Sequence, residues 1–428
     1  MKDIVAIVLA AGKGTRMKSE VPKVLHEIFG RPIISYVLDA VRDAGVTDII
    51  TVAGYGSDLV RESGSVKDTK IVIQKKLLGS GDAVATAGRG LPAKFTGDCL
   101  VICGDTPLIQ AGTIRQLMVK HKDSGASLTL LTAELKDPTG YGRIMRDGAG
   151  RVTKIVEEEH ARLYEEVINE VNVGTYCFKA KDLFDALGQI RPNNAKKELF
   201  ITDVVEILHK RSRPIESVTM DDPCEMIGIN SRKELAEAIQ CLKQKVLDEA
   251  MESGVTIEDP SSTTIYPGVT IGQDTVVAPN TFIGPNVRIG TRCHIGPFAR
   301  LTADVTVGND ILIGNFVELV RTVVGNGTKI KHHTYLGDTT VGRNANIGAG
   351  TITANYDGKN KNKTIIGDGA FIGVGARLVA PVTIGEGAVL GAGCVVLKNR
   401  DVPKGATAVG VPARIIKGAS TGKKINNK

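Results

Sequence analysis

The sequence predicts an α/β protein: a doubly wound, Rossmann-like domain followed by a left-handed parallel β-helix of hexapeptide repeats. Two patterns carry this reading. Strand-like and helix-like runs alternate at βαβ spacing through the first half of the chain. From about Ile265 an aliphatic residue then recurs at every sixth position. Composition agrees with both, since 49 glycines, 4% aromatics and no tryptophan suit many tight turns and a core of small aliphatics. The expected organisation is an α/β domain over 1–230, a linker helix over 231–252, the β-helix over 253–416 and a basic flexible tail over 417–428.

The first half opens on a buried strand, Ile4–Leu9, followed by the loop AAGKGTRM. A helix is expected over Pro32–Ala44, a strand at Ile49–Val52 and a helix after Tyr55. Then come a strand at Ile71–Gln74, a helix over Asp82–Gly90 and a strand at Cys99–Cys103. Period and charge pairing make Ser231–Met251 helical.

The hexads run Ile265, Ile271, Val277, Ile283, Ile289, Ile295, Leu301, Val307, Ile313, Leu319. The register slips by one and resumes at Val324, Ile330, Leu336, then at Val341 and Ile347. After a loop it continues through Ile366, Ile372, Leu378, Ile384, Leu390 and Val396. Three short strands, each pointing one aliphatic at the axis, make a triangular coil. Glycine follows the aliphatic at 272, 284, 290, 296, 308 and 314, and glycine or asparagine is expected at corners whose backbone a Cβ would penalise.

Net charge is +7, with several lysines in the last dozen residues. No basic stripe with interleaved aromatics points to nucleic acid, and no run approaches the roughly 20 apolar residues of a membrane span. The N-terminus lacks a signal-peptide pattern, so a cytoplasmic enzyme is expected. The seven cysteines form no CxxC pair, and no disulfide framework or zinc site is signalled.

Leu9-Ala10-Ala11-Gly12-Lys13-Gly14-Thr15-Arg16-Met17 lies between a strand and a helix. It is neither a Walker A loop nor a full dinucleotide fingerprint. It still offers free backbone N–H groups to a phosphate, with Arg16 and Lys23 nearby in charge. An ordinary tight turn with solvated cations fits the same residues. Asp105, just past the strand ending at Cys103, is placed either to hold Mg2+ or to cap the next helix.

The pieces LAAGKGTRM with PKVLH, GDTPLI, DPTGYGRI, EVNVGTY, the hexads, HHTYLGD and NIGAGTITANYDGKNKNKT occur in this order along nearly the whole chain. Together they resemble the bacterial bifunctional N-acetylglucosamine-1-phosphate uridylyltransferase/glucosamine-1-phosphate acetyltransferase (GlmU) family. The resemblance implies a nucleotidyltransferase domain in which Leu9, Ala10, Ala11 and Gly12 contact the nucleotide and Arg16 and Lys23 meet its phosphates. It implies that Gln74, Gly79 and Ser80 hold the uridine, with Ser80 where the family more often has threonine. Asp105 and Asn230 would bind Mg2+, and Gly142, Glu157, Asn172 and Asn230 would face the sugar. The implied substrates are UTP and N-acetylglucosamine 1-phosphate.

For the β-helix the resemblance implies acetyl-CoA and glucosamine 1-phosphate as substrates and a homotrimer with sites between subunits, with no nucleic-acid or membrane partner. His332 matches the catalytic histidine, although the residues alone do not distinguish it from His333. Tyr335, Asn346 and Lys361 match sugar-phosphate positions, and Ala349 and Ala392 match positions beside coenzyme A. The irregular stretch Thr353–Thr364 would reach toward a neighbour. Four positions depart from the family: Thr302 replaces an arginine, Val320 a lysine and Val374 a serine, and no arginine stands around Val409. Arg321 and Lys331 are the nearby cations that could compensate. The alternatives are a monofunctional nucleotidyltransferase with an assembly-only β-helix, or an acyltransferase half acting on a different amino sugar.

Overall fold

The computed structural model describes residues 3–161, 165, 167–192 and 198–416, so the basic tail expected over 417–428 lies outside the described residues. The chain forms two compact units, Met1–Cys241 and Leu242–Lys428.

The first unit is built on β1 (Ile4–Ala10), α1 (Ile33–Asp43), β2 (Ile49–Ala53), α2 (Ser57–Glu62), β3 (Lys70–Ile73), α3 (Ser80–Ala87), β4 (Asp98–Cys103) and α4 (Ala111–Ser124). It continues with β5 (Leu128–Glu134), β6 (Arg143–Arg146), β7 (Val152–Val156), β8 (Glu170–Lys179), α5 (Ala180–Leu187), α6 (Asp203–Lys210), β9 (Ile215–Thr219) and the first half of α7 (Arg232–Glu252). The main sheet runs β9-β5-β8-β4-β1-β2-β3. β1 is apolar throughout because it is covered on both faces and flanked by parallel strands on both sides. In α1, Ile33, Ile34, Val37, Leu38 and Val41 fall on one buried face, the spacing that makes the run a helix.

The parallel register decides where chemistry collects. Leu9 pairs with Cys103, Ala10 with Ala53, and Ala53 with Ile73. The carboxyl ends of β1, β3 and β4 therefore open at one edge, which delivers the glycine loop, Gln74 and Asp105 to the same place. The sheet is not wholly parallel, however. β8 runs antiparallel between β4 and β5, with a register shift between Asn172 and Tyr176 and Gly174 at φ +80°.

In the second unit the hexad residues stack as expected. Ile265 pairs with Ile283, Ile283 with Leu301, and Leu301 with Leu319, one coil every three hexads. Leu319 then pairs with Leu336, where the one-residue slip falls, and Val341 with Ile366, across the inserted loop. These side chains are buried along the axis, apart from Ile271, which is partly covered at the first coil. Each fully buried aliphatic contributes about 1.5–3 kcal/mol.

The corner expectation holds for asparagine and needs correcting for glycine. Asn280 and Asn286 hold left-handed corners as expected, but Asp274, Arg292, Phe298, Asp310 and Phe316 hold others, and of the six glycines only Gly296 has positive φ. The other glycines answer to coil spacing: a Cβ on Gly272 would lie 2.7 Å from the carbonyl carbon of Gly290. A second correction concerns the cysteines. Cys224 and Cys241 form a disulfide, Cα to Cα 6.2 Å, across 17 residues. Spacing alone carries no connectivity at that separation.

Candidate functional site

A cleft of about 500 Å3 opens at the carboxyl edge of β1, β3 and β4. Leu9, Ala10, Ala11, Gly12, Lys23, Gln74, Gly79, Ser80 and Asp105, all named from the sequence, line it. Sequence reasoning missed Ala83, Cys103 and Glu198, which also line it. Arg16 lies on the 3-10 turn after the loop, exposed and outside the lining.

The two loop glycines have different physical reasons. Gly14 sits at φ +60° with Lys23 packed against it, so a Cβ there would lie 2.8 Å from the Lys23 Cβ. Nothing lies within 4 Å of a Cβ built on Gly12, which faces open space as a phosphate-binding backbone must. Lys23 follows Pro22 in a short 3-10 turn. Its Nζ donates to Asn230 Oδ1 at 2.9 Å and closely contacts Asp105 Oδ2. A carboxylate and an amide oxygen thus already converge on one positive charge. That donor set fits Mg2+, which takes few protein oxygens and completes its shell with water and phosphate.

Asn230 is far from Asp105 in sequence and is brought in by backbone. Ile229 N–H donates to Asp105 O at 2.9 Å, and Asn230 N–H donates to Glu234 Oε2 at 2.9 Å. Buried Glu225 accepts from Gln110 N–H, Gln110 Nε2 and Thr113 Oγ1, which fastens the segment to the start of α4. Arg232 donates to His26 Nδ1, and burial, together with that guanidinium, lowers the His26 pKa.

Gln74 Nε2 donates to Gly79 O and Asp82 Oδ2, so the amide is fixed at the cleft wall. Gly79, at φ +104°, packs against Leu199 O, and Ser80 Oγ accepts from Ile201 N–H at 3.0 Å. On the far side of Cys103, Gly142 O accepts from Asn172 N–H, and Asn172 Nδ2 donates to Tyr176 OH. Glu157 Oε1 accepts from Thr202 Oγ1 at 2.6 Å. The β8 bulge is what turns Asn172 back on Gly174 and Tyr176. Burial, then the Asp105 charge, pushes the Cys103 thiol up to about 12, so it packs as a neutral group.

In the β-helix the adjacent histidines differ sharply. His332 pairs in register with Asn315, and its Nδ1 meets Asn315 Oδ1 at 2.7 Å. His333 occupies a left-handed corner and stacks on Phe316, which stacks on Phe298, with centroids 5.0 and 5.3 Å apart. A shallow cleft beside His332 is lined by His294, Phe298, Asn315, Phe316 and Lys331.

Thr302, Val320 and Gly337 form one column across three coils, beside the column Arg300, Glu318, Tyr335. Arg300 is paired with Glu318, and Arg321 makes a bidentate pair with Asp338 at 2.6 and 2.9 Å. Arg321 is thus already neutralised, while exposed Lys331 stands next to His332. Asn346 pairs with Lys329 and Phe371. Ala349 O accepts from Gly375 N–H and Val374 O from Gly393 N–H, which brings Ala349, Val374 and Ala392 to one edge on successive coils. The irregular stretch is an ordered turn in which Tyr356 bridges to Lys361 around Asp357. Backbone donors, Asn360 first, hold the Asp357 carboxyl below its usual range.

The nucleotidyl transferase family model matches residues 5–223, and the bacterial transferase hexapeptide model matches 268–303 and 363–398. The bifunctional protein GlmU of Pelotomaculum thermopropionicum is 46% identical over 414 residues, 89% of this chain and 90% of the relative. The chain belongs to the GlmU family. The bifunctional protein GlmU of Pelobacter propionicus is 42% identical, covering 96% of each chain. That of Heliobacterium modesticaldum is 44% identical, covering 94% of each. Membership in the GlmU family thus spans both units.

Proposed function

We propose that the first unit transfers UMP from UTP to N-acetylglucosamine 1-phosphate, and that the β-helix N-acetylates glucosamine 1-phosphate with acetyl-CoA. The observation that carries the first half is the Lys23 ammonium held between Asp105 and Asn230, beneath an open glycine loop. The relatives' shared description as bifunctional favours a second activity over an assembly-only β-helix.

In the first unit, backbone N–H groups of Ala11–Thr15 would cradle the triphosphate, with Lys23 and Arg16 on its oxygens. Asp105 and Asn230 would hold Mg2+, which supplies charge neutralisation for the displacement. Gln74, Gly79 and Ser80 would bind the uracil and ribose side. Gly142, Glu157 and Asn172 would orient the sugar so that its phosphate oxygen lies in line with the α-phosphorus. Pyrophosphate leaves, and no general base is required because the nucleophile is already ionised. Rate acceleration then comes from alignment and charge.

In the second unit, Nδ1–H of His332 would donate to Asn315 Oδ1, which would leave Nε2 to take a proton from the attacking amine. The amine adds to the thioester carbonyl and the coenzyme A thiolate leaves. Tyr335, Asn346 and Lys361 would hold the acceptor, and Ala349 and Ala392 the coenzyme. A homotrimer through the β-helix would complete these shallow sites, and the reading places the enzyme in the cytoplasm. Among the described residues no helix is long and apolar enough to cross a membrane. Incubation with UTP or dTTP, each with N-acetylglucosamine 1-phosphate or glucose 1-phosphate, tests the assignment. The UTP/N-acetylglucosamine 1-phosphate pair should give the highest kcat/KM, and clear preference for another pair overturns it.

A further inference from the structure

We propose that Cys224–Cys241 is a thiol–disulfide exchange site whose closure holds Asn230 in the metal-binding position. The inference rests on the reading of Asp105 and Asn230 as the Mg2+ ligands. The disulfide joins the 3-10 segment Pro223–Met226 to the middle of α7 and closes a loop across 17 residues. Asn230 lies inside that loop, so both chain directions leading from it are tied. Within the loop, Ile229 is buried and its N–H donates to Asp105 O, and Asn230 is bonded to Lys23 and Glu234.

Reagent access separates this pair from the four buried cysteines, while Cys103, partly exposed like the pair, is a free thiol without a disulfide partner. Cys224 and Cys241 are both partly exposed. Cys99, Cys177, Cys293 and Cys394 are buried, and burial raises the pKa of each, so thiolate is scarce there. The chemistry is a two-electron exchange. A thiolate of a dithiol reductant attacks one sulfur and expels the other as a thiolate, which takes a proton. The second reductant thiol then resolves the mixed disulfide, leaving two cysteine thiols and an oxidised, cyclic reductant. Oxidised glutathione runs the reverse reaction and leaves as two reduced molecules.

The clamp at Glu225 does not involve the sulfurs, so reduction loosens the Asn230 segment without dissolving it. The test uses the full-length protein treated with oxidised glutathione or with dithiothreitol, and Cys241→Ser. Three quantities are read: the linked 224/241 peptide by mass, amide hydrogen exchange over the segment containing Ile229, and the Mg2+ concentration for half-maximal uridylyl transfer. The oxidised protein should give the linked peptide. Reduction should speed Ile229 exchange and raise the Mg2+ requirement about fivefold. Cys241→Ser should match the reduced protein and ignore dithiothreitol. Failure of the linked peptide to form, or identical exchange in both states, overturns the proposal. A difference in exchange without uridylyl transfer in either state supports the switch and overturns the UTP reading.

Discussion

His332 and Asn315 face each other in register on adjacent coils, with Nδ1 and Oδ1 2.7 Å apart. With the Asn315 amide oxygen as acceptor, Nδ1 carries the hydrogen, and on the proposed reading Nε2 is left as the base. On that reading Asn315 is a positioning residue. Asn315→Ala should lower kcat of acetyl transfer about 10–100-fold, with little change in KM for acetyl-CoA. Asn315→Asp should keep the acceptor and restore most of the rate. Steady-state thiol release measures both, and equal loss in the two variants would show that the contact is structural only.

The column Thr302–Val320–Gly337 carries no cation, and Arg321 is occupied by Asp338. On the proposed reading the acceptor phosphate should therefore be held weakly, with saturation only at high glucosamine 1-phosphate. Thr302→Arg with Val320→Lys should lower KM about tenfold or more, since a charged hydrogen bond is worth roughly 1.5–3 kcal/mol. An unchanged or higher KM, measured by initial rates over a wide acceptor range, would mean that the acceptor phosphate does not sit at this column.

Asp338 gives the β-helix a pH-dependent tie. The Arg321 hydrogen bonds hold its carboxyl below the usual range. A depressed folded pKa contributes stability that is fully present above the unfolded value of about 3.9 and is lost as pH falls through the folded value. Asp338→Asn should lower Tm by roughly 2–4 °C at pH 7. The gap to wild type should shrink below about pH 3.9. Thermal unfolding across pH 2–7 checks this, and a gap that widens in acid would contradict the sign.

The fold was legible because two periods dominate the sequence, βαβ alternation and the hexad. The antiparallel β8 was not legible, because strand direction leaves no local mark at Glu170–Lys179. Corner glycines misled for a related reason: the need at Gly272 is the approach of the next coil, a contact 18 residues away. The loop and Asp105 could be found locally, as both sit at strand ends. Asn230 and Glu157 meet Lys23 and Thr202 only through tertiary contacts, so only the resemblance named them as candidates. Thr202 and the Cys224–Cys241 pair had no sequence signal at all.

The most direct test of the account is Mg2+-dependent pyrophosphate release from UTP and N-acetylglucosamine 1-phosphate by wild type and Asp105→Asn. The wild type should release pyrophosphate in step with product and only with the divalent ion present. Asp105→Asn loses the carboxylate that faces Lys23 but keeps a side chain of the same size. Its kcat/KM should fall at least about 100-fold while Tm stays within a few degrees. Wild-type activity that is indifferent to Mg2+, or an Asp105→Asn variant that turns over normally, would contradict the assignment.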